Sequence, residues 1–297
     1  MAWFSWQQAK QLDPSLNAVG DFFVPAPMQV QTVTGGLTNR CWKINDHAGK
    51  SYVWRPASKV CQAFSISRYS EYQILNAIAD LKLGPKPVLV NEHGVLVEWL
   101  EGETMRDGVA PDTLLKTAIK IHQFDAHTLP LAPFSYTARV DHYWMQLEGK
   151  YLGSEYENLY QQWRSAPSVT PLPVALCHFD LGGYNMVKGP DGVKVIDWEY
   201  AALADPRLDL TLTIQLSGED WFEMVCRYCQ LREIDEIDEI DEVEVWIEGV
   251  KAWQPRTTMM AMLWYLLAHK IWGDDEYLLT AKKMLHSLCH EDHCLHG

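Results

Sequence analysis

Four residues between positions 176 and 200 have the types and spacing needed to handle a metal-bound polyphosphate. The run Leu176-Cys-His-Phe-Asp-Leu-Gly-Gly-Tyr-Asn sets His178, Asp180 and Asn185 in an H-x-D-x-x-x-x-N spacing, and Asp197 follows twelve residues after Asn185 in Val195-Ile-Asp-Trp-Glu-Tyr. Mg2+ is a hard cation that takes a few oxygen ligands and keeps the rest of its shell for water and phosphate, so one carboxylate and one side-chain amide suffice. A second carboxylate just before the Asn can then sit beside an attacking hydroxyl without ligating the metal. Phosphoryl transfer asks for this division of labour, because its transition state needs positioning and charge neutralisation more than covalent help. Asp180 is expected to orient and deprotonate an alcohol, and Asn185 and Asp197 to hold a Mg2+ that bridges the phosphates of ATP. Any one of these residues alone reads as a turn or cap residue. All four in this order, flanked by apolar strands, do not.

The elements that must position them are legible nearby. Residues 185–188 and 193–196 alternate as two short strands around Gly189-Pro-Asp-Gly192, which predicts a hairpin with Asn185 and Asp197 at the same open end. Before it, Pro173 to Cys177 reads as a strand. Upstream, β-character runs from Gln29 to Trp54 and again through Val88 to Asn91 and Val95 to Trp99, with an amphipathic helix over Arg68 to Leu81 between them. The first stretch, Trp3 to Leu12, reads as a helix. Past residue 101 the pattern is mostly helical, with helices expected over 113–124, 140–152, 155–163 and 243–253. The expected fold class is α+β, with an N-terminal β-rich lobe over 1–100 and a larger helical lobe over 101–297.

Composition excludes several classes of function. With 47% hydrophobic and 22% charged residues in 297, the chain can bury a sizeable core. Its charge, 25 − 39 = −14, repels nucleic acid and anionic lipid and favours a cationic ligand. Nine of the 39 acids crowd into 233–248, however, where Ile-Asp-Glu repeats three times, so the rest is only mildly acidic. A period of three drifts around a helix, and the repeat reads as a solvated acidic insertion. The N-terminus lacks a signal-peptide pattern, the longest apolar run (Met259 to Ala268) is ten residues, and seven cysteines lie scattered without a framework. A cytoplasmic protein without membrane or nucleic-acid partners is expected.

From about residue 30 to about residue 215 the chain resembles the choline kinase, thiamine kinase and aminoglycoside phosphotransferase superfamily. The runs Ile196-Asp-Trp-Glu-Tyr-Ala and Ala204-Asp-Pro-Arg-Leu-Asp-Leu are most like the choline and thiamine kinase branch. The resemblance implies a bilobal protein-kinase-like fold, a small antiparallel β lobe with a larger helical lobe. Gly35, Gly36, Thr38 and Asn39 resemble the turn that covers the nucleotide phosphates, and a glycine pair there permits the close backbone approach. Val97-Glu-Trp-Leu-Glu-Gly-Glu resembles the hinge after the last small-lobe strand, which makes Glu98 and Leu100 nucleotide-binding candidates. Where protein kinases carry a strand Lys this chain has Arg55, whose fork also suits phosphate, with Lys59 as a second candidate. Glu71 on the following helix is then expected to pair with Arg55. Glu199 corresponds to an acid of the site in choline-kinase-like relatives, able to reach a second Mg2+ or a substrate's positive charge. Asp209 resembles the aspartate that braces the catalytic loop, and His178 is expected to hold loop geometry. Ile121-His-Gln-Phe falls where the family has a Leu-His helix end.

The acceptor should be an alcohol, and thirteen Trp with thirteen Tyr suit an organic cation through ring-quadrupole attraction. Choline, ethanolamine and thiamine all fit, with Trp144, Trp198, Trp253, Trp264, Tyr265 and Trp272 as candidate walls. An aminoglycoside is the broader alternative, and a nucleotide-binding scaffold without turnover is another. Cys226-x-x-Cys229 has no matching second pair, and the tail carries His286, Cys289, His290, His293, Cys294 and His296 at spacings that could take a soft metal. Both read more simply as helix packing and a polar terminus.

Overall fold

The computed structural model describes residues 3–33, 41–106, 108–233 and 240–295. The chain forms two compact units, one of Met1–Val109, His127–Leu131 and Asp180–Ala201, the other of Ala110–Ala126, Ala132–Phe179 and Ala202–Gly297. Gly35, Gly36, Thr38 and Asn39, and most of the Ile-Asp-Glu repeat, lie outside the described residues.

The described residues of the first unit build an antiparallel sheet from β1 (Trp3–Phe4), β2 (Gln29–Val33), β3 (Cys41–Asn45), β4 (Ser51–Pro56), β5 (Pro87–Asn91) and β6 (Gly94–Glu98), in the order β1-β2-β3-β4-β6-β5. Along β4, Tyr52, Trp54 and Pro56 are buried while Ser51, Val53 and Arg55 are half-buried. Successive side chains leave opposite faces of a strand, so Arg55 stands on the face away from Trp54. Beneath Trp54 lies a core of Leu16, Val19, Phe23, Val30, Trp42, Ile44 and Leu96. The N-terminal segment closes this core. Its helix starts at Trp6, behind a Ser5–Gln8 capping box, because Trp3 and Phe4 pair with Gln31 and Val30 as an edge strand instead of extending the helix. A 3-10 turn over Pro14–Phe22 follows, and the two buried indoles under it are satisfied there, Trp42 donating to Asp13 at 2.8 Å and Trp54 to the Ser15 hydroxyl at 2.9 Å.

The helix Arg68–Ala77 is shorter than expected, ending in a 3-10 turn over Ala79–Leu81, and packs on β5, β6 and the 3-10 turn Trp198–Tyr200. The expected hairpin forms as Met186–Gly189 with Gly192–Val195, each strand shifted by one residue from 185–188 and 193–196, and Glu103–Thr104 adds a third strand. Gly102 makes that addition possible: its φ is +144°, and a Cβ there would meet the Lys188 carbonyl oxygen at 2.5 Å.

Among its described residues the second unit is helical, with one two-stranded sheet of Ala175–Cys177 and Ala202–Ala204. The helix expected over 140–152 is two pieces, Tyr136–Met145 and Glu148–Tyr151. Where a short helix over 243–253 was expected, one helix of 33 residues runs from Ile240 to Trp272 through Pro255. Tertiary burial carries it past the proline, since Met259, Met262, Leu263, Leu266, Leu267 and Ala268 are all at most 1% exposed. Among the described residues no helix is long and apolar enough to cross a membrane.

Candidate active site

Asp180 opens a tight turn that ends in the short 3-10 segment Gly183–Asn185. The Gly182 and Asn185 amides donate to the Asp180 and Gly182 carbonyls at 3.1 and 2.9 Å. Close approach explains Gly183, where an added Cβ would lie 2.7 Å from the Met105 carbonyl oxygen. The Asn185 amide donates to both the main-chain oxygen and the carboxylate of Asp180, at 2.9 and 2.8 Å. With its N–H donors so engaged, the Asn185 side-chain oxygen is the atom left to act as a ligand. Tyr184 donates its hydroxyl to the other Asp180 oxygen. Burial pushes the Asp180 carboxyl up to about 7, with the negative Asp197 and Glu199 adding to the rise and the Tyr184 and Asn185 hydrogen bonds opposing it. That range suits a group that must accept a proton near neutrality.

The hairpin brings the metal candidates to one end. Met186 faces Val195, and the Ile196 N–H donates to the Asn185 carbonyl at 2.9 Å, so Asn185 and Asp197 leave adjacent strands side by side. Asp197 has φ +65° and ψ +57°, a left-handed conformation that Asp tolerates better than most residues. The next turn is anchored by Trp198, 1% exposed, whose indole donates to the Val195 carbonyl at 2.9 Å. Glu199 follows on that turn and is buried.

Asp197 is paired with Arg55, which links it to three further charged side chains, Glu71, Arg68 and Glu199. Arg55 reaches Asp197 at 2.5 Å and Glu199 at 2.9 Å through Nη2, and Glu71 at 2.7 Å through Nε. Arg68 contributes a second guanidinium, whose Nη1 lies 2.6 Å from Glu71 and 3.0 Å from Glu199. Burial works against the charge on Arg55, but Asp197 and Glu71 together raise its pKa, so it stays protonated. Burial is also the main cause of the upward shift of the Glu199 carboxyl, helped by Asp197 and resisted by Arg55 and Arg68. The sequence expectation that Glu71 pairs with Arg55 corresponds to a contact in the structure, whereas Lys59 is exposed at the start of the helix Lys59–Ala63. Glu98 ends β6 opposite Tyr52, with its N–H on the Lys86 carbonyl at 2.8 Å, and Leu100 is half-buried just beyond.

In the second unit Asp209, fully buried, accepts from the backbone N–H of His178 at 3.1 Å, the N–H of Phe179 at 2.6 Å and the ring of His122 at 2.8 Å. These bonds outweigh burial and hold its carboxyl below the usual range. His122 in turn meets the Tyr228 hydroxyl at 2.7 Å. Phe179 has φ +66°, an outlier for a bulky residue, and the Asp209 carboxylate fixes the two peptides leading into it through the His178 and Phe179 N–H groups. His122, Cys177 and Asp209 have ligand atoms close together. They make a poor metal site, since Asp209 already accepts three bonds and burial holds the Cys177 thiol protonated.

The aromatic candidates divide. Trp144, Trp198 and Trp253 are buried core, Trp144 stacking on Tyr160 at 4.7 Å. Trp264, Tyr265 and Trp272 are half-buried and join Tyr277 in one contiguous cluster, with Trp264–Tyr265 centroids 5.1 Å apart and Trp272–Tyr277 5.4 Å. Sequence reasoning did not single out Arg68, Tyr184, Tyr228 or Tyr277. The Arg-x-x-Glu spacing of Arg68 and Glu71 was the available signal for the first. Cys226 and Cys229 are free thiols on the helix Trp221–Leu231, and the rings of His286 and His290 meet edge to face, centroids 4.1 Å apart, on an exposed helix face.

Comparison with known proteins is consistent across three levels. The model of the phosphotransferase enzyme family, APH, matches residues 29–242. A thiamine kinase of Escherichia coli strain UMN026 is 26% identical over 265 residues, spanning 87% of this chain and 90% of that protein. A thiamine kinase of Shigella dysenteriae is 25% identical over 264 residues with the same coverage. Among solved structures, choline kinase LicA from Streptococcus pneumoniae matches with a TM-score of 0.69 at 18% identity, over 96% of this chain and 99% of that one. A macrolide 2'-phosphotransferase type I matches with a TM-score of 0.63 at 16% identity, over 96% and 99%. At these identities the structural likeness speaks for the fold, which is protein-kinase-like. The chain belongs to the phosphotransferase enzyme family, and it is a phosphotransferase acting on a hydroxyl.

Proposed function

We propose that this protein transfers the γ-phosphoryl group of ATP to the primary hydroxyl of thiamine, or of a small cationic alcohol closely like it. The observation that carries phosphoryl transfer is the double tie between Asn185 and Asp180 beside the hairpin end bearing Asp197. The choice of thiamine is supported by 26% identity to a thiamine kinase across nearly the whole of both chains.

Asp180 acts as the base. It holds the acceptor hydroxyl and takes its proton as the oxygen attacks the γ-phosphorus, and its bond to the bridging oxygen breaks to release ADP. Asn185 and Asp197 offer an amide oxygen and a carboxylate, a donor set that fits Mg2+, and Glu199 adds a second acid close by. When bound, Mg2+ neutralises the polyphosphate charge and aligns it for in-line displacement. Arg55 contributes a guanidinium for phosphate, and Glu71 fixes its stem. Gly35, Gly36, Thr38 and Asn39 are assigned to the phosphate turn, and Glu98 with Leu100 to the hinge that lines the nucleotide base. His178 and Asp209 support the loop. The cluster of Trp264, Tyr265, Trp272 and Tyr277, with Asp274 and Glu276 near Tyr277, supports recognition of a cationic ring.

The test is ADP formation by the purified protein with Mg-ATP and equal concentrations of thiamine, choline, ethanolamine or an aminoglycoside. Strong stimulation by thiamine, abolished in Asp180→Asn, is the expected result. Stimulation by choline alone would move the substrate assignment, and binding of ATP without turnover on any acceptor would overturn it.

A further inference from the structure

Arg68 is a costly residue for its position. It opens the helix Arg68–Ala77 behind the Ser67 cap, yet its side chain is only 2% exposed. Its Nε donates to the Pro56 carbonyl at 3.3 Å, and its Nη1 bridges Glu71 at 2.6 Å and Glu199 at 3.0 Å. Its Nη2 is buried without a hydrogen-bond partner among the described residues. Together with Arg55 it closes a ring of four side chains, Arg55 to Glu71 to Arg68 to Glu199 and back to Arg55, at 2.7, 2.6, 3.0 and 2.9 Å.

Stability alone explains this ring poorly. Desolvating two guanidiniums and two carboxylates gives back little or nothing relative to apolar packing of the same volume, and an orphaned buried donor adds a further penalty. What the ring supplies is position. Glu199 sits on the 3-10 turn directly after Asp197, 131 residues beyond Arg68 in sequence, and Arg68 ties that turn to the first turn of the helix carrying Glu71. Arg55 cannot do this alone, because its Nη2 is already divided between Asp197 and Glu199. Lysine would not replace Arg68, since one ammonium lacks the fork that reaches the Pro56 carbonyl and both carboxylates at once.

We propose that Arg68 is a positioning residue for metal-dependent nucleotide binding: by holding the Glu199 carboxylate against Glu71, it fixes the turn that presents Asp197 and Glu199 to the metal. This rests on the assignment of Asp197 and Glu199 to the Mg2+ site made above. Residues that orient metal ligands from behind affect metal affinity about 10–100-fold when removed.

The experiment is calorimetric titration of the folded full-length protein with the β,γ-imido analogue of ATP, with and without Mg2+, for wild type, Arg68→Met, Arg68→Lys and Glu199→Gln, with circular dichroism to confirm folding. The Mg2+ concentration for half-maximal nucleotide binding should rise by about tenfold or more in both Arg68 variants. Affinity without Mg2+ should change less than about threefold, and Arg68→Met added to Glu199→Gln should shift the metal requirement by less than about twofold further. An unchanged Mg2+ requirement in folded Arg68→Lys overturns the proposal, as does an equal loss of affinity with and without the metal. Should Arg68→Met not fold, Arg68→Lys decides. A wild-type protein that binds the analogue no better with Mg2+ overturns the functional reading itself, and this inference with it.

Discussion

Asn185 and Asp180 are joined twice, through the Asp180 main-chain oxygen at 2.9 Å and its carboxylate at 2.8 Å. One side chain therefore sets both the direction of the base and the face on which its own oxygen can meet a metal. Asp180→Asn should leave binding of Mg-ATP within about threefold of wild type while turnover falls by about 10²–10⁴-fold, the usual contribution of a positioned base. Asn185→Ala should lose both functions, raising the Mg2+ requirement as well as lowering kcat. Steady-state kinetics with parallel nucleotide titration separates the two patterns. Normal turnover in Asp180→Asn would remove the base from the mechanism.

The same carboxyl sets a pH dependence. Asp180 must be ionised to accept a proton, and its pKa lies near 7, so kcat/KM should fall about tenfold per pH unit below that value and level off above it. The Tyr184 hydroxyl favours the ionised form by donating to it. Tyr184→Phe should therefore move the acid limb toward higher pH, leaving the plateau rate less affected than the rate at pH 6. A limb that stays in place, measured from pH 5.5 to 9, would show that Tyr184 does not act on the base.

How much of this was readable in advance depends on how local the cause is. The hairpin of Met186–Gly189 and Gly192–Val195 rests on strand alternation around a glycine-bounded turn, all within a dozen residues, and its register follows from those residues alone. Arg55 could be placed on its face from the alternation of β4. Trp3–Phe4 could not be read as a strand, because what makes it one is pairing with Gln31 and Val30 far along the chain. The helix Ile240–Trp272 hid behind Pro255, a residue that normally stops a helix, and packing of its C-terminal half overrides that signal. Arg68 was missed for a related reason. An Arg three residues before a Glu on an amphipathic helix looks like an exposed pair, and only Glu199 arriving from 131 residues away buries it.

Asp209 should show its importance as stability more than as chemistry. Asp209→Ala leaves the amides of His178 and Phe179 and the His122 ring without their acceptor inside the protein, which should cost about 3–5 kcal/mol in urea unfolding. Its folded pKa lies below the ordinary carboxylate value, so its contribution is fully present above that ordinary value and is lost as pH falls through the folded one. The stability gap between wild type and Asp209→Asn should accordingly be widest at neutral pH and narrow in acid. A gap that does not change from pH 7 to pH 3 would contradict the assignment of the stabilisation to the ionised carboxylate.

The aromatic cluster gives the sharpest test of the acceptor. Trp264 and Trp272 are half-buried, with centroids 6.2 Å apart, and each lies against Tyr277. Rings left partly open at this density in an acidic setting suit a delocalised cation, and each good ring contact contributes about 0.5–2 kcal/mol. Trp272→Ala should therefore raise the KM for thiamine by about 2–30-fold while the KM for ATP stays within about twofold. Trp272→Phe keeps a π-face and should recover most of the loss, which a change in helix packing alone would not predict. Equal increases in both KM values, or no rescue by phenylalanine, would place the acceptor elsewhere and leave the cluster as packing between the helices Ile240–Trp272 and Asp275–Leu295.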